Sequence, residues 1–501
     1  MTDFDTFLNK TGEVGYVEKV FQILVYVNGL PGASPSELVC FETGETGQVL
    51  TLDTDFVEIL LLSNSSVDVG TKVARTGKQL NILVSPHLLG KSIDPLGSPI
   101  RSVESENKKT KLDPKLLEAR TLNPTPYGIS GRKNIDQNFE TGVSIVDLVV
   151  SLGLGQRELI VGDRKTGKTP FLLSSALSAA RKGMIIIYAA IAKKRSDIAE
   201  IDIFFRKMNI EDSAVLVASS SADPASLIYL TPYTAMTIAE YFRDKGKNVL
   251  IILDDMTAHA KCYREITLLA RRFPGRSSYP GDIFYIHSRL LERAGNFQLV
   301  RKNTQGKLDT INSSITCLPV AELVMGDLSG YIQTNLMSMT DGHIYFDIDL
   351  YNEGRRPAIN PFLSVTRVGR QAQSPLVRDL SRMVTSFLIR LRDLERFMHF
   401  GTELTDKSRK ELMLGARLKE FFNQSSEAII PLPVSILIVA GIWIETWKSV
   451  ETAEFKHAIE IIRTKYASDQ KYRNDIDTLI NNSSTFDTLM EALRLKGELL
   501  K

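Results

Sequence analysis

The chain has 501 residues, more than one hydrophobic core serves, so two or three domains are expected. Its formal net charge of +2 is close to balance, which excludes a global field that would recruit nucleic acid or a membrane surface. Cys40, Cys262 and Cys317 are scattered without metal-ligand spacing, which argues against a disulfide scaffold or zinc site and for reduced thiols in a cytoplasmic-type compartment.

The opening Met-Thr-Asp-Phe-Asp-Thr lacks the basic-then-apolar layout of a secretory signal. Up to about residue 80 the chain shows short β-type runs at 20–27, 38–41, 48–52 and 57–62, broken by Gly, Asn and Asp. Regular spacing with turn signals predicts a small β-barrel over 1–80. The polar stretch 102–115 and the Pro- and Gly-bearing stretch 123–131 read as an irregular connection.

From about residue 142 to 368, apolar strands alternate with helical patterns, which predicts a parallel α/β sheet within a domain spanning 81–371. Glu-Leu-Ile-Val leads into Gly162, Asp163, Arg164, Lys165, Thr166, Gly167, Lys168 and Thr169, the pattern G-x-x-x-x-G-K-T between a strand and a helix. The physics of that pattern is a phosphate cradle. Its glycines let backbone N–H groups close around a polyphosphate, its lysine reaches the β/γ-phosphates and its threonine hydroxyl can ligate Mg²⁺. The positive end of the following helix points at the same anion.

A second apolar strand over 183–191 ends in Ala192-Lys193-Lys194-Arg195. An ammonium cannot accept a proton from water, and losing a general base costs roughly 10²–10⁴ in rate. The chain therefore reads as one that holds a nucleotide without hydrolysing it quickly. A third strand over 248–253 ends in Asp254-Asp255, and an acid there is the usual companion of the cradle, helping to hold Mg²⁺; Asp254 is preferred. The Arg-, Pro- and Gly-rich stretch 271–282 has neither helical nor strand period. Beyond residue 371 the period is helical at 377–400, 409–422 and 452–466, which predicts a C-terminal bundle over 372–501. The apolar run 429–443 contains Pro431 and Pro433 and is short for a membrane span, so a buried helix is expected.

These strings together resemble the α subunit of F-type rotary ATPases. The resemblance rests on Gly-Gln-Arg-Glu-Leu-Ile-Val-Gly-Asp-Arg-Lys-Thr-Gly-Lys-Thr at 155–169, Arg-Arg-Phe-Pro-Gly-Arg at 271–276 and Tyr-Ile-His-Ser-Arg-Leu-Leu-Glu-Arg at 285–293. Arg-Pro-Ala-Ile-Asn at 356–360 and Ser-Val-Thr-Arg-Val-Gly at 364–369 continue it, and the resemblance runs through nearly the whole chain in order. It implies a β-barrel crown, a central P-loop (RecA-like) nucleotide domain and a C-terminal helical domain, in a ring where α alternates with catalytic β subunits around a γ-type shaft.

Carried over residue by residue, Lys168 and Thr169 match the family's phosphate and Mg²⁺ ligands for ATP or ADP, and Asp254 matches its strand-end acid. Lys193 falls where α subunits usually carry Gln and catalytic β subunits carry Glu. Arg367 matches the arginine that α offers in trans to the neighbouring β site, and Ser338 matches another residue of that interface. Tyr351, Arg356, Pro357 and Gln424 fall where the family lines the adenine pocket. The stretch 271–282 matches the collar that bears on the shaft.

Departures accompany the match. Lys165 replaces the usual Gln, Ser426 replaces a second Gln of the adenine pocket, and few residues precede Thr11, where a longer arm would grip a stator cap. They point to a divergent, paralogous F-type-like ATPase, such as the gliding-motor type of wall-less bacteria, held by complex-specific partners. The expected place is cytoplasmic, peripheral at the plasma membrane through those partners. Two other readings share the core: a self-sufficient homohexameric export motor, which needs the acid that Lys193 replaces, and a ring-shaped RNA translocase. The latter needs stacking aromatics on the barrel. Phe21, Tyr26, Phe41 and Phe56 lie among acidic residues and read as core packing, so no nucleic-acid partner is expected.

Overall fold

The computed structural model describes residues 3–63, 65–100, 117–302, 308–398 and 405–500. The polar stretch 102–115 therefore lies outside the described residues. The chain forms two compact units that interleave in sequence. The first takes Met1–Arg132, Gly183–Ala321 and Ser329–Met339, and the second takes Lys133–Lys182, Glu322–Leu328 and Thr340–Lys501.

In the first unit a helix, Asp3–Thr11, precedes a closed six-stranded barrel. Its strands are β1 (Val14–Phe21), β2 (Leu24–Asn28), β3 (Glu37–Phe41), β4 (Thr46–Leu52), β5 (Val57–Leu61) and β6 (Lys72–Gln79), joined in the order β1-β2-β5-β4-β3-β6. Alternation fills the interior with Val17, Val25, Val39, Phe41, Ile59 and Val73. The outward Leu24 and Leu60 pack on Ala225 and Ile266 of the same unit. The run read as one strand over 20–27 is a hairpin instead. Phe21 pairs Leu24 across a two-residue turn whose Gln22 takes φ 55, a left-handed conformation that no Gly or Asn signals in the sequence. Phe41 is buried as expected, but Phe21 is half exposed, with the Arg271 guanidinium 5.9 Å from its ring.

The same unit carries a parallel sheet in the order Leu308–Glu322, Val249–Asp254, Ile185–Lys193, Ala214–Ser220, Lys91–Ile93, with Gly295–Lys302 antiparallel to the first strand. Its strands read as continuous apolar runs because helices such as Ala225–Asp244 cover them.

In the second unit Leu159–Gly162 pairs in parallel with Gly342–Phe346, and Val365–Thr366 adds an antiparallel edge. A Cβ at Gly162 would stand 2.6 Å from both Cβ and O of Phe346, so only glycine lets the strands meet there. The C-terminal helices Pro375–Met398, Asp406–Phe421, Leu432–Trp443, Thr452–Ser468, Gln470–Asn481 and Phe486–Leu495 follow. Leu432–Trp443 is apolar all round and buried, and Trp443 makes edge-on ring contacts with Phe387 and Phe486. Among the described residues no helix is long and apolar enough to cross a membrane. The fold is thus the expected barrel, parallel α/β layer and helical bundle.

Candidate nucleotide site

The cradle lies wholly in the second unit. Strand Leu159–Gly162 delivers the chain to a loop, and helix Lys168–Arg181 leaves it. Two left-handed residues shape the loop: Lys165 with φ 63 and Gly167, the helix cap, with φ 91. The loop is braced from inside. Thr166 Oγ1 donates to Asp163 O at 2.7 Å, and Asp163 Oδ2 accepts from the Gly326 amide at 2.8 Å. Lys168 is buried and donates through Nζ to Gly162 O at 2.8 Å and Asp163 O at 2.6 Å. Its ammonium is therefore held over the loop rather than in solvent. Arg164 pairs with Glu322 at 2.8 Å and keeps a largely exposed side chain. Thr169 is the second residue of the helix, where the N-terminal amides are unpaired by the helix itself.

Tyr351, Arg356 and Gln424 are brought together in the same unit. The Arg356 guanidinium stacks 3.6 Å over the Tyr351 ring, and its Nη1 donates to Tyr351 O at 2.8 Å. Gln424 N donates to Arg356 O at 2.6 Å. The Gln424 side chain accepts from Ser144 N at 3.1 Å and donates to Gly142 O at 2.6 Å and Ala428 O at 2.5 Å. Its amide is thus engaged in holding three backbone segments together. Pro357 lines an adjoining cavity with Ile145 and Phe362.

The strand-end carboxylate lies in the first unit. Asp254 ends strand Val249–Asp254 and pairs in register with Ala190 of the neighbouring strand. That neighbour bulges between Ala190 and Lys193, with Ala192 at φ 53, and the bulge re-aims the Lys193 side chain. Lys193 Nζ comes 2.7 Å from Asp254 Oδ1, while the Tyr188 hydroxyl donates to Oδ2 at 2.8 Å. Burial and the nearby Asp254 hold the Tyr188 phenol well above its ordinary pKa, so it remains a donor. Sequence reasoning missed Tyr188. Its one signal was a lone tyrosine in an otherwise aliphatic strand.

Arg367 follows the edge strand Val365–Thr366 in the second unit, with its amide on Asp341 O at 3.0 Å. Asp341 is itself clamped by Arg157, with Nη2 2.8 Å from Oδ1. Thr366 Oγ1 donates to Ser151 O at 2.9 Å, which fixes the backbone before Arg367. The Arg367 side chain is exposed, and among the described residues its guanidinium has no hydrogen bond or ion pair. Ser338 is exposed on helix Tyr331–Met339 of the first unit, its hydroxyl donating to Asn335 O at 2.7 Å.

Two sequence families match the chain. Residues 142–366 match the nucleotide-binding domain of the ATP synthase alpha/beta family, and residues 373–494 match the C-terminal domain of the ATP synthase alpha/beta chain. The ATP synthase subunit alpha of Acinetobacter baumannii is 39% identical over 429 residues, covering 85% of this chain and 82% of that one. The subunit alpha of Aquifex aeolicus is 40% identical over 439 residues, covering 86% and 83%. That of Chromohalobacter salexigens is 36% identical over 476 residues, covering 94% and 90%.

Proposed function

The chain belongs to the ATP synthase alpha/beta family as an F-type alpha chain, and from that membership we propose that it is a non-catalytic, nucleotide-binding ring subunit that completes the active site of a neighbouring β-type subunit. One observation carries the reading. The strand end that would need a carboxylate base holds Lys193, and that lysine is ion-paired to Asp254 at 2.7 Å. A paired ammonium has no lone pair with which to take a proton from water.

In this reading the cradle residues Gly162 to Thr169 hold the polyphosphate of ATP or ADP, and the Arg356–Tyr351 stack forms the adenine side. When bound, Mg²⁺ neutralises phosphate charge, and Thr169 is the residue of the cradle suited to hold it. Arg367 extends its planar fork to the phosphoryl group held by the β-type partner. Its exposed and uncommitted guanidinium supports that role. The Arg271 to Asp282 loop bears on a γ-type shaft, and attachment to the membrane runs through partner subunits. The substitutions at Lys165 and Lys193 support a paralogous ring, with gliding motility as a candidate output. A homohexameric motor is disfavoured because every subunit would lack its base.

The test is ATP turnover by the purified chain alone and in a ring with its catalytic partner. Turnover is expected only in the ring. Turnover by the chain alone at the rate of the ring would overturn the reading.

A further inference from the structure

We propose that Arg370, Arg378 and Arg382, with the buried amide of Gln373, form a second anion site whose ligand is a small phosphate-bearing molecule. All four residues belong to the second unit, and none belongs to the cradle.

They line a cleft of about 630 Å³ at the start of helix Pro375–Met398. That volume is in the range of small-ligand sites. Arg370 stands on the preceding turn, Gly369–Ala372, while Arg378 and Arg382 lie one helical turn apart. Among the described residues no carboxylate lines the cleft. Among them also, Arg370 and Arg382 have no hydrogen bond or ion pair, and Arg378 Nη2 donates only to Gln373 O, at 3.3 Å. Asp379, the neighbouring acid in the chain, accepts instead from the Phe486 amide at 2.9 Å.

Three features here are unfavourable without a ligand, and an anion relieves all of them. Arg378 and Arg382 are like charges at i and i+4 of one helix, which repel. Arg378 lies in the first turn, where the helix dipole is positive and no acidic residue offsets it. Gln373 is 6% exposed, and among the described residues neither its amide oxygen nor its amide nitrogen has a hydrogen-bond partner. Buried polar groups are rarely left so, because their lost hydration is not repaid. An anion seated in the cleft neutralises the arginines, meets the positive end of the helix and gives the Gln373 amide an acceptor.

Charge decides the ligand class. A carboxylate carries a single charge and engages one guanidinium fork. A phosphate group carries nearly two charges at neutral pH and offers several acceptor oxygens, so more than one fork can close on it. Three arginines around one cleft therefore suit a phosphate group, whether inorganic or the tail of a nucleotide.

The experiment is calorimetric titration of pyrophosphate into the purified full chain, first saturated with Mg-ADP so that the cradle is filled. One further equivalent is expected to bind. Arg370→Ser and Arg382→Ser should each weaken that binding roughly tenfold or more and leave the first equivalent of ADP unaffected. Gln373→Leu should weaken it too without lowering the melting temperature of the free chain, whereas an amide with a purely structural role would lower it. Uptake of pyrophosphate beside one ADP identifies inorganic phosphate as the source. Two equivalents of ADP, falling to one in Arg382→Ser, identify a nucleotide tail. A chain that takes one ADP and no pyrophosphate overturns the proposal, as do arginine variants that bind pyrophosphate like the wild type. If ADP does not bind at all, the nucleotide reading above fails, and titration of the free chain and its arginine variants with pyrophosphate still decides this one.

Discussion

His259 Nδ1 lies 3.1 Å from His287 Nε2 in a pocket where both rings are fully buried. His259 Nε2 lies 3.2 Å from Tyr229 O, so it must carry a proton to donate. Its Nδ1 is then an acceptor for His287 Nε2–H, and both rings are neutral. A further proton would set two N–H groups against each other or leave His287 Nδ1–H buried without an acceptor, since among the described residues that atom has no partner. Burial accordingly lowers His259 from 6.5 to about 4 and holds His287 well below its ordinary value, with His259 adding to the effect.

The consequence is a stability that falls in acid. Each folded-state pKa lies below its unfolded value, so the unfolded chain binds more protons in the window between them. The contribution is complete above about 6.5 and is lost as pH falls toward about 4. Each histidine should add a slope of roughly 1.4 kcal/mol per pH unit there. Urea midpoints measured from pH 7.5 to 5 should fall faster for the wild type than for His287→Phe. Other titrating groups are common to both proteins and cancel in the difference. Parallel curves would show that the pair does not titrate in this way.

What could be read from the chain beforehand was local or periodic. The cradle from Gly162 to Thr169 and the acid closing strand Val249–Asp254 are contiguous patterns that bring their own context of strand and helix. The buried helix Leu432–Trp443 is marked by its apolar composition. The Lys193–Asp254 pair depends instead on parallel register and on a bulge, neither of which has a composition signal. The helix Asp3–Thr11 went unseen because it is short and lies where β-type runs begin. Gln22 hid a hairpin inside an apolar run because glutamine rarely takes a left-handed turn.

The collar loop should reach the shaft. Phe273 is 94% exposed at the head of the loop, an apolar ring that a solvated surface does not favour. The loop behind it is pinned. Arg264 lies 4.7 Å over the Tyr279 ring, and Arg276 lies 5.7 Å over Tyr331. Ser277 and Ser278 take φ 54 and φ 60, turning the loop outward on a fixed base. Cysteines introduced at Ser277 or Ser278 are expected to cross-link to a coiled-coil shaft subunit in the assembled ring. Cross-links that form only with other proteins would remove the assignment.

Gly162→Ala should cost the fold before it costs the ligand. Its Cβ would stand 2.6 Å from Phe346 Cβ and O, and backbone cannot yield as a flexible side chain does. Overpacking of this kind costs about 1–3 kcal/mol. A lowered unfolding midpoint without nucleotide is the expected readout. An unchanged midpoint with weakened ATP binding would place the need for glycine in the cradle alone.

Arg367→Lys separates a structural arginine from one that acts on a neighbour. Its amide is held at Asp341 O, and Thr366 is anchored to Ser151, so the backbone presents the side chain from a fixed edge. Beneath it, Glu158 is fully buried, and burial first and Asp341 second push its carboxyl well above the ordinary range while the Arg367 charge opposes them. Among the described residues no ion pair joins Glu158 and Arg367, which leaves the guanidinium available outward. Delivered in trans, a guanidinium spreads charge over the phosphoryl oxygens, and such residues are worth roughly 10³–10⁵ in rate. Lysine keeps the charge but loses the planar fork. The variant ring is expected to assemble and bind nucleotide as the wild type does, while turnover at the partner's sites falls by roughly 10² or more. If Arg367 instead served only its own chain, Lys would lower the melting temperature of the isolated subunit and leave turnover per assembled ring unchanged. Measuring both quantities on the same preparation decides between the two, and a well-assembled ring with near-normal turnover would take the role away from Arg367.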